Sequence, residues 1–209
     1  MANLKSLAKD TAIYGLSSIV GRFLNYLLVP LYTHVISAAN GGYGIVTNLY
    51  GYVALLLVIL VFGMETTFFR FANNENERPN EVFSNAMLII GTLVGIFLAI
   101  IFGGIEPISQ WLGYSEHPEY IQIMASIVAL DALQAIPFSF LRFQKRAIKF
   151  ASLKLLFIIL NISLNLLYFV VLGHTDVFYI FMLNLVCTSI ITFFFLPELV
   201  KMKWQINMQ

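Results

Sequence analysis

Charge is scarce in this chain: 11% of its 209 residues are Asp, Glu, Lys or Arg, against 59% that are hydrophobic. A polar surface so thin cannot cover a single water-soluble core of this size, and 19 Phe make the imbalance worse, so a soluble domain is excluded. Cysteine occurs once, as Cys187 inside an apolar run, which excludes a disulfide framework and a cysteine metal cluster and leaves a small buried hydrophobe. The formal net charge of +1 is too small to attract nucleic acid. There is no H-E-x-x-H, no G-x-S-x-G, no G-x-x-x-x-G-K-[ST] and no carboxylate cluster suited to a metal, so neither an enzyme nor a metal or cofactor is expected. His34, His117 and His174 have no neighbouring ligands in sequence and read as interfacial residues.

Long apolar runs are what the chain has instead. A helix needs roughly 20 residues to cross a hydrocarbon layer about 30 Å thick, and the runs near residues 11–35, 44–68, 82–105, 120–141, 154–173 and 177–197 meet that length. The expected fold is an all-α membrane protein, one six-transmembrane-helix bundle over residues 1–209. The first run is too long for a signal peptide, contains Arg22 and Pro30, and lacks a small-residue cleavage site.

Orientation follows from the positive charges. Lys5 and Lys9 precede the first span, Arg70 and Arg78 lie between the second and third, Arg142, Lys145, Arg146, Lys149 and Lys154 between the fourth and fifth, and Lys201 and Lys203 after the sixth. The other three gaps contain neither Lys nor Arg, so both termini are expected in the cytoplasm. Trp111, Tyr114 and Trp204 suit the headgroup zone. The external stretch from Glu106 to Glu119 reads as a short surface-lying turn or helix.

Arg22 is the exception, a positive charge near the middle of the first span and about 18 Å along the helix from Asp10. Burying it there costs roughly 2.5 to 3.5 kcal/mol on insertion scales, which demands a partner, water or a purpose. Ser18, Arg22 and Asn25 share a face with Gly15 by three-and-four spacing. That face either lines an aqueous cavity that offers a guanidinium to phosphate, or packs on another polar helix. Asp131, at similar depth in the fourth span with Gln134 one turn on, is the ion-pair partner of Arg22, a proton or cation site, or a partner that releases Arg22 when an anionic substrate arrives.

Further polar groups sit within the spans. Asn161, Asn165 and Tyr168 fall on one face of the fifth, and Asn184 and Thr188 on the sixth; sugar hydroxyls and interhelical hydrogen bonds account for them equally well. Glu65 and Arg70, near the cytoplasmic end of the second span, are expected to form an interfacial pair or else to contact substrate. Arg142, Lys145, Arg146 and Lys149 follow the spacing of a basic interfacial helix, suited to anionic lipid or to capture of a lipid diphosphate. Gly91 and Gly95 are expected to let a helix pack closely on the third span, and Pro30 and Pro137 to kink the first and fourth.

The run KDTAIYGLSSIVGRFLNYLLVPLYTHV from Lys9 to Val35, then Tyr43-Gly44-Ile45-Val46, Gly63-Met64-Glu65 and Phe69-Arg70-Phe71, resembles the polysaccharide biosynthesis family of lipid-linked oligosaccharide flippases, within the multidrug/oligosaccharidyl-lipid/polysaccharide exporter superfamily. The resemblance extends along essentially the whole chain. It implies a multi-pass protein of the bacterial inner membrane, with two six-helix lobes around a cavity, that moves an undecaprenyl diphosphate-linked glycan outward for polysaccharide or O-antigen synthesis. This chain resembles the first lobe, so a partial flippase completed by a second lobe, or a homodimer of single lobes, is expected. Gly42 stands where the family commonly has an acidic residue. By position, Arg22 resembles the first-span arginines that make such cavities cationic. The alternatives are a multidrug or cation antiporter of the same superfamily and a non-transporting membrane assembly subunit.

Overall fold

A computed structural model describes residues 11–16, 19, 28–36, 42–75 and 77–200, excepting the side chains of residues 198 and 200. Every regular element among them is helical. After a helical stretch at 11–16 come α1 (Leu28–Val35), α2 (Gly42–Val61), α3 (Met64–Ala72), α4 (Pro79–Gly103), α5 (Ile105–Leu112), α6 (Pro118–Phe143) and α7 (Ala147–Asn165). A π-helical segment (Leu166–Val171) extends α7, and α8 (Val177–Phe194) and α9 (Leu196–Val200) follow.

Five helical segments are long and apolar enough to cross a membrane: Gly42–Ala72, Pro79–Gly103, Pro118–Phe143, Ala147–Val171 and Val177–Phe194. They correspond to the second through sixth predicted spans; the first lies partly outside the described residues. Large apolar side chains are exposed along them, including Leu55, Val58 and Ile59 on α2 and Leu93, Ile96 and Ile100 on α4. Water would penalise such surfaces and lipid does not. The chain is that of a multi-pass membrane protein.

Local chemistry sets the helix limits. Proline opens α4 and α6, where its fixed φ fits the first turn and its missing N–H goes unneeded. Phe62 and Gly63 are both left-handed, with φ of 43° and 69°, and end α2 inside what the sequence presents as one uninterrupted second span. α5 closes in a Schellman turn, with Gly113 at φ 80° and Tyr114 N–H donating to Ser109 O at 2.7 Å. A short turn or helix is expected before the fourth span, and the helix found there leaves Trp111 exposed.

The fifth span starts earlier than the sequence suggests, at Ala147 instead of near 154, because Lys149 and Lys154 are carried inside the helix. The close packing expected at Gly91 and Gly95 is also not made by the described chain, where a Cβ on either glycine would meet nothing within 4 Å. Small residues do their work on α6, where Ala125, Ala129 and Ala132 are buried. The most apolar stretch of that helix is 67% buried, against 22% for α4.

The described contacts fall into two compact units. One takes Met1–Thr47 and Leu141–Cys187, the other Asn48–Phe140 and Thr188–Gln209. In the first, Tyr32 of α1 stacks on Tyr43 at 6.0 Å and meets the edge of Phe169 at 5.8 Å. In the second, Phe83 of α4 stacks on Phe140 of α6 at 4.4 Å, and Phe68 of α3 meets both edge-on. Such pairs add to the burial of large apolar rings.

Candidate functional site

The first unit holds a buried polar network. Asn165 and Asn161 lie one turn apart on α7, so they share a face, and Asn165 Nδ2 donates to Asn161 O at 2.7 Å and to its Oδ1 at 3.0 Å. Tyr32 Oη–H of α1 donates to Asn165 Oδ1 at 2.8 Å, tying together residues 133 apart in sequence. The sequence nominates both asparagines but not Tyr32. Its signal is a phenol inside an apolar run, which needs a hydrogen-bond partner once buried. Tyr168, expected on the same face, lies in the π-helical turn and stacks on His174, with ring centroids 5.5 Å apart.

The second unit ties its helices in the same way. Gln134 Nε2 of α6 donates to Thr188 O at 3.0 Å and to Thr192 Oγ1 at 2.8 Å, both on α8. Gln134 is therefore a helix clamp with its amide N–H groups already engaged. Asp131 is half-buried one turn away. Ser18, Arg22 and Asn25 lie outside the described residues, and with them the expected pairing of Arg22 with Asp131.

Glu65 departs from expectation. Five residues on a helix place Glu65 and Arg70 about 140° apart, too far round to face one another, and Arg70 is exposed. Glu65 Oε2 accepts instead from Ser139 Oγ–H of α6 at 3.2 Å. Placing Glu65 in the first turn of α3 also suits its negative charge to the helix N-terminus.

The basic segment is not one interfacial helix. α6 ends in a Schellman turn in which Arg146 N–H donates to Leu141 O at 2.9 Å and Lys145 N–H to Arg142 O at 3.0 Å. Arg142 thus closes α6, Lys145 and Arg146 occupy an exposed turn, and Lys149 begins α7. The three-and-four face read from the sequence is broken by this turn. The positive charge nevertheless stays concentrated at one end of two helices.

Lys145 occupies the left-handed position of that turn, at φ 55°, where glycine is usual. Lys145→Gly is expected to leave the protein about 1 kcal/mol more stable than Lys145→Ala, because both remove the charge and only glycine removes the Cβ conflict. Thermal unfolding of the purified variants measures the difference. Equal midpoints would contradict the strain at this turn.

Among the described residues no three His, Cys, Asp or Glu side chains gather as metal ligands. Comparison with family models, with curated proteins and with solved structures finds no match to this chain.

Proposed function

We propose that the protein is a lobe of a bacterial inner-membrane flippase that carries an undecaprenyl diphosphate-linked oligosaccharide outward during polysaccharide or O-antigen synthesis. Arg22 carries the reading. A guanidinium in the middle of an apolar span is costly unless it has work to do, and its planar fork matches a diphosphate bidentately in a low dielectric. The sequence motifs around it resemble those of lipid-linked oligosaccharide flippases.

In this reading the cluster of Arg142, Lys145, Arg146 and Lys149 gathers anionic lipid at the cytoplasmic surface, each cation near the surface contributing about 1 kcal/mol. Arg22 then holds the diphosphate during the crossing. The opposite lobe is a second copy of the chain.

The test is reconstitution of the full chain in proteoliposomes with a fluorescent undecaprenyl diphosphate-linked sugar, read by chemical quenching of the outer leaflet. Transbilayer movement is expected to exceed that in protein-free vesicles at least tenfold, with no acceleration of a labelled phosphatidylethanolamine. Equal rates with and without protein would refute the reading. Acceleration of both lipids alike would replace it with nonspecific scrambling.

A further inference from the structure

We propose that Tyr168, His174 and Tyr179 form a saccharide-binding subsite at the predicted extracytoplasmic end of the fifth and sixth spans. The three rings are mutually in contact. Tyr168 and His174 lie 5.5 Å apart by centroid, His174 and Tyr179 4.4 Å, and Tyr168 and Tyr179 5.4 Å, with planes tilted by 29° to 43°. All three are half-buried, and among the described residues none makes a side-chain hydrogen bond. Ring bodies are held by the protein while two phenol O–H groups and an imidazole edge stay available.

Three local devices converge to hold them. The π-helical turn is a rare geometry that tends to occur at functional sites, and here it carries Tyr168. Gly173, at φ 70°, then reverses the chain, and His174 N–H donates back to Tyr168 O at 3.1 Å. Asp176 Oδ1 accepts from Phe178 N–H at 2.9 Å, fixing the start of α8 and with it Tyr179 in the first turn. A simple interfacial aromatic belt needs none of these.

The second unit supplies an internal contrast. There Tyr114, His117 and Tyr120 form a similar cluster before α6, with His117 stacked on Tyr120 at 4.8 Å. Its polar ends are already occupied: Asn48 Nδ2 donates to Tyr114 Oη at 2.9 Å, and His117 Nδ1 lies 2.8 Å from Glu119 Oε1. That cluster is closed on itself. The Tyr168 cluster keeps donors and acceptors beside half-buried aromatic rings, a pairing that complements a sugar ring with C–H groups on its faces and hydroxyls at its edge.

The choice of a lipid-borne sugar rests on the proposed transport function; the ring geometry does not. The test places one tryptophan at the site, as Tyr179→Trp in a full-length chain carrying Trp111→Phe and Trp204→Phe, in lipid nanodiscs. Undecaprenyl diphosphate N-acetylglucosamine is expected to change its emission saturably, while undecaprenyl diphosphate alone and phosphatidylglycerol leave it unchanged. Adding Tyr168→Phe, which keeps the ring, is expected to weaken the response about threefold, and His174→Leu about tenfold. An equal response to the sugar-free diphosphate lipid, or to phosphatidylglycerol, would overturn the subsite, as would no response. Sugar-dependent emission without transbilayer movement keeps the subsite and removes the transporter reading; movement without sugar-dependent emission does the reverse.

Discussion

Asn165→Leu is expected to destabilise the protein by about 2 to 3 kcal/mol, although it makes the span more apolar. Asn165 is fully buried, so leucine gains no contact with lipid there. The substitution removes the acceptor of Tyr32 Oη–H and both donations to Asn161. Interhelical hydrogen bonds in membranes average roughly 0.6 kcal/mol and reach about 1.7; stranding buried polar partners adds about 1 to 3 kcal/mol. The penalty therefore outweighs the modest hydrophobic gain. Tyr32→Phe, which removes only the hydroxyl, is expected to lose about 1 kcal/mol. Denaturation of the purified variants in mixed micelles reads both. If leucine at 165 proves neutral, the network is not what holds α1 to α7.

That network also shows how far a sequence reading reaches. The asparagines are legible because a four-residue spacing fixes a shared helix face whatever the tertiary structure. Tyr32 is not legible, since no local pattern names a partner 133 residues away. The spans are legible for a cruder reason: their lengths answer to bilayer thickness, and five of the predicted ranges overlap the segments Gly42–Ala72, Pro79–Gly103, Pro118–Phe143, Ala147–Val171 and Val177–Phe194, the fifth range with too late a start.

Failures occur where backbone geometry competes with composition. Phe62 in a left-handed conformation gives no compositional warning beyond the following Gly63, so the break between α2 and α3 inside the second span is not foreseen. Lys145 takes a position where glycine would have announced the turn, and four basic residues consequently read as one helical face. The π-helical turn at Leu166–Val171 is not announced by the apolar run that contains it. Gly91 and Gly95 carry a spacing that permits close packing, but permission is not contact.

Under the proposed transport function, Arg22→Ala carries the largest expectation, a loss of glycan-lipid movement of about a hundredfold, near 2.7 kcal/mol. This matches removal of one charge-assisted, bidentate contact to phosphate, worth roughly 1.5 to 3 kcal/mol. Arg22→Lys keeps the charge and loses the planar fork, so an intermediate loss of about tenfold is expected. Stability separates a substrate-binding arginine from a structural one. Alanine removes an insertion cost of roughly 2.5 to 3.5 kcal/mol from the first span, so a cavity-facing Arg22 predicts unchanged or improved protein levels alongside lost transport. An Arg22 locked against Asp131 predicts the opposite, because deleting one partner of a buried pair costs about 3 to 5 kcal/mol through the charge left behind. Combining Arg22→Ala with Asp131→Asn would then restore folding. Normal levels, lost transport and no benefit from the second substitution identify Arg22 as the diphosphate ligand, and full transport by Arg22→Ala would remove it from the mechanism.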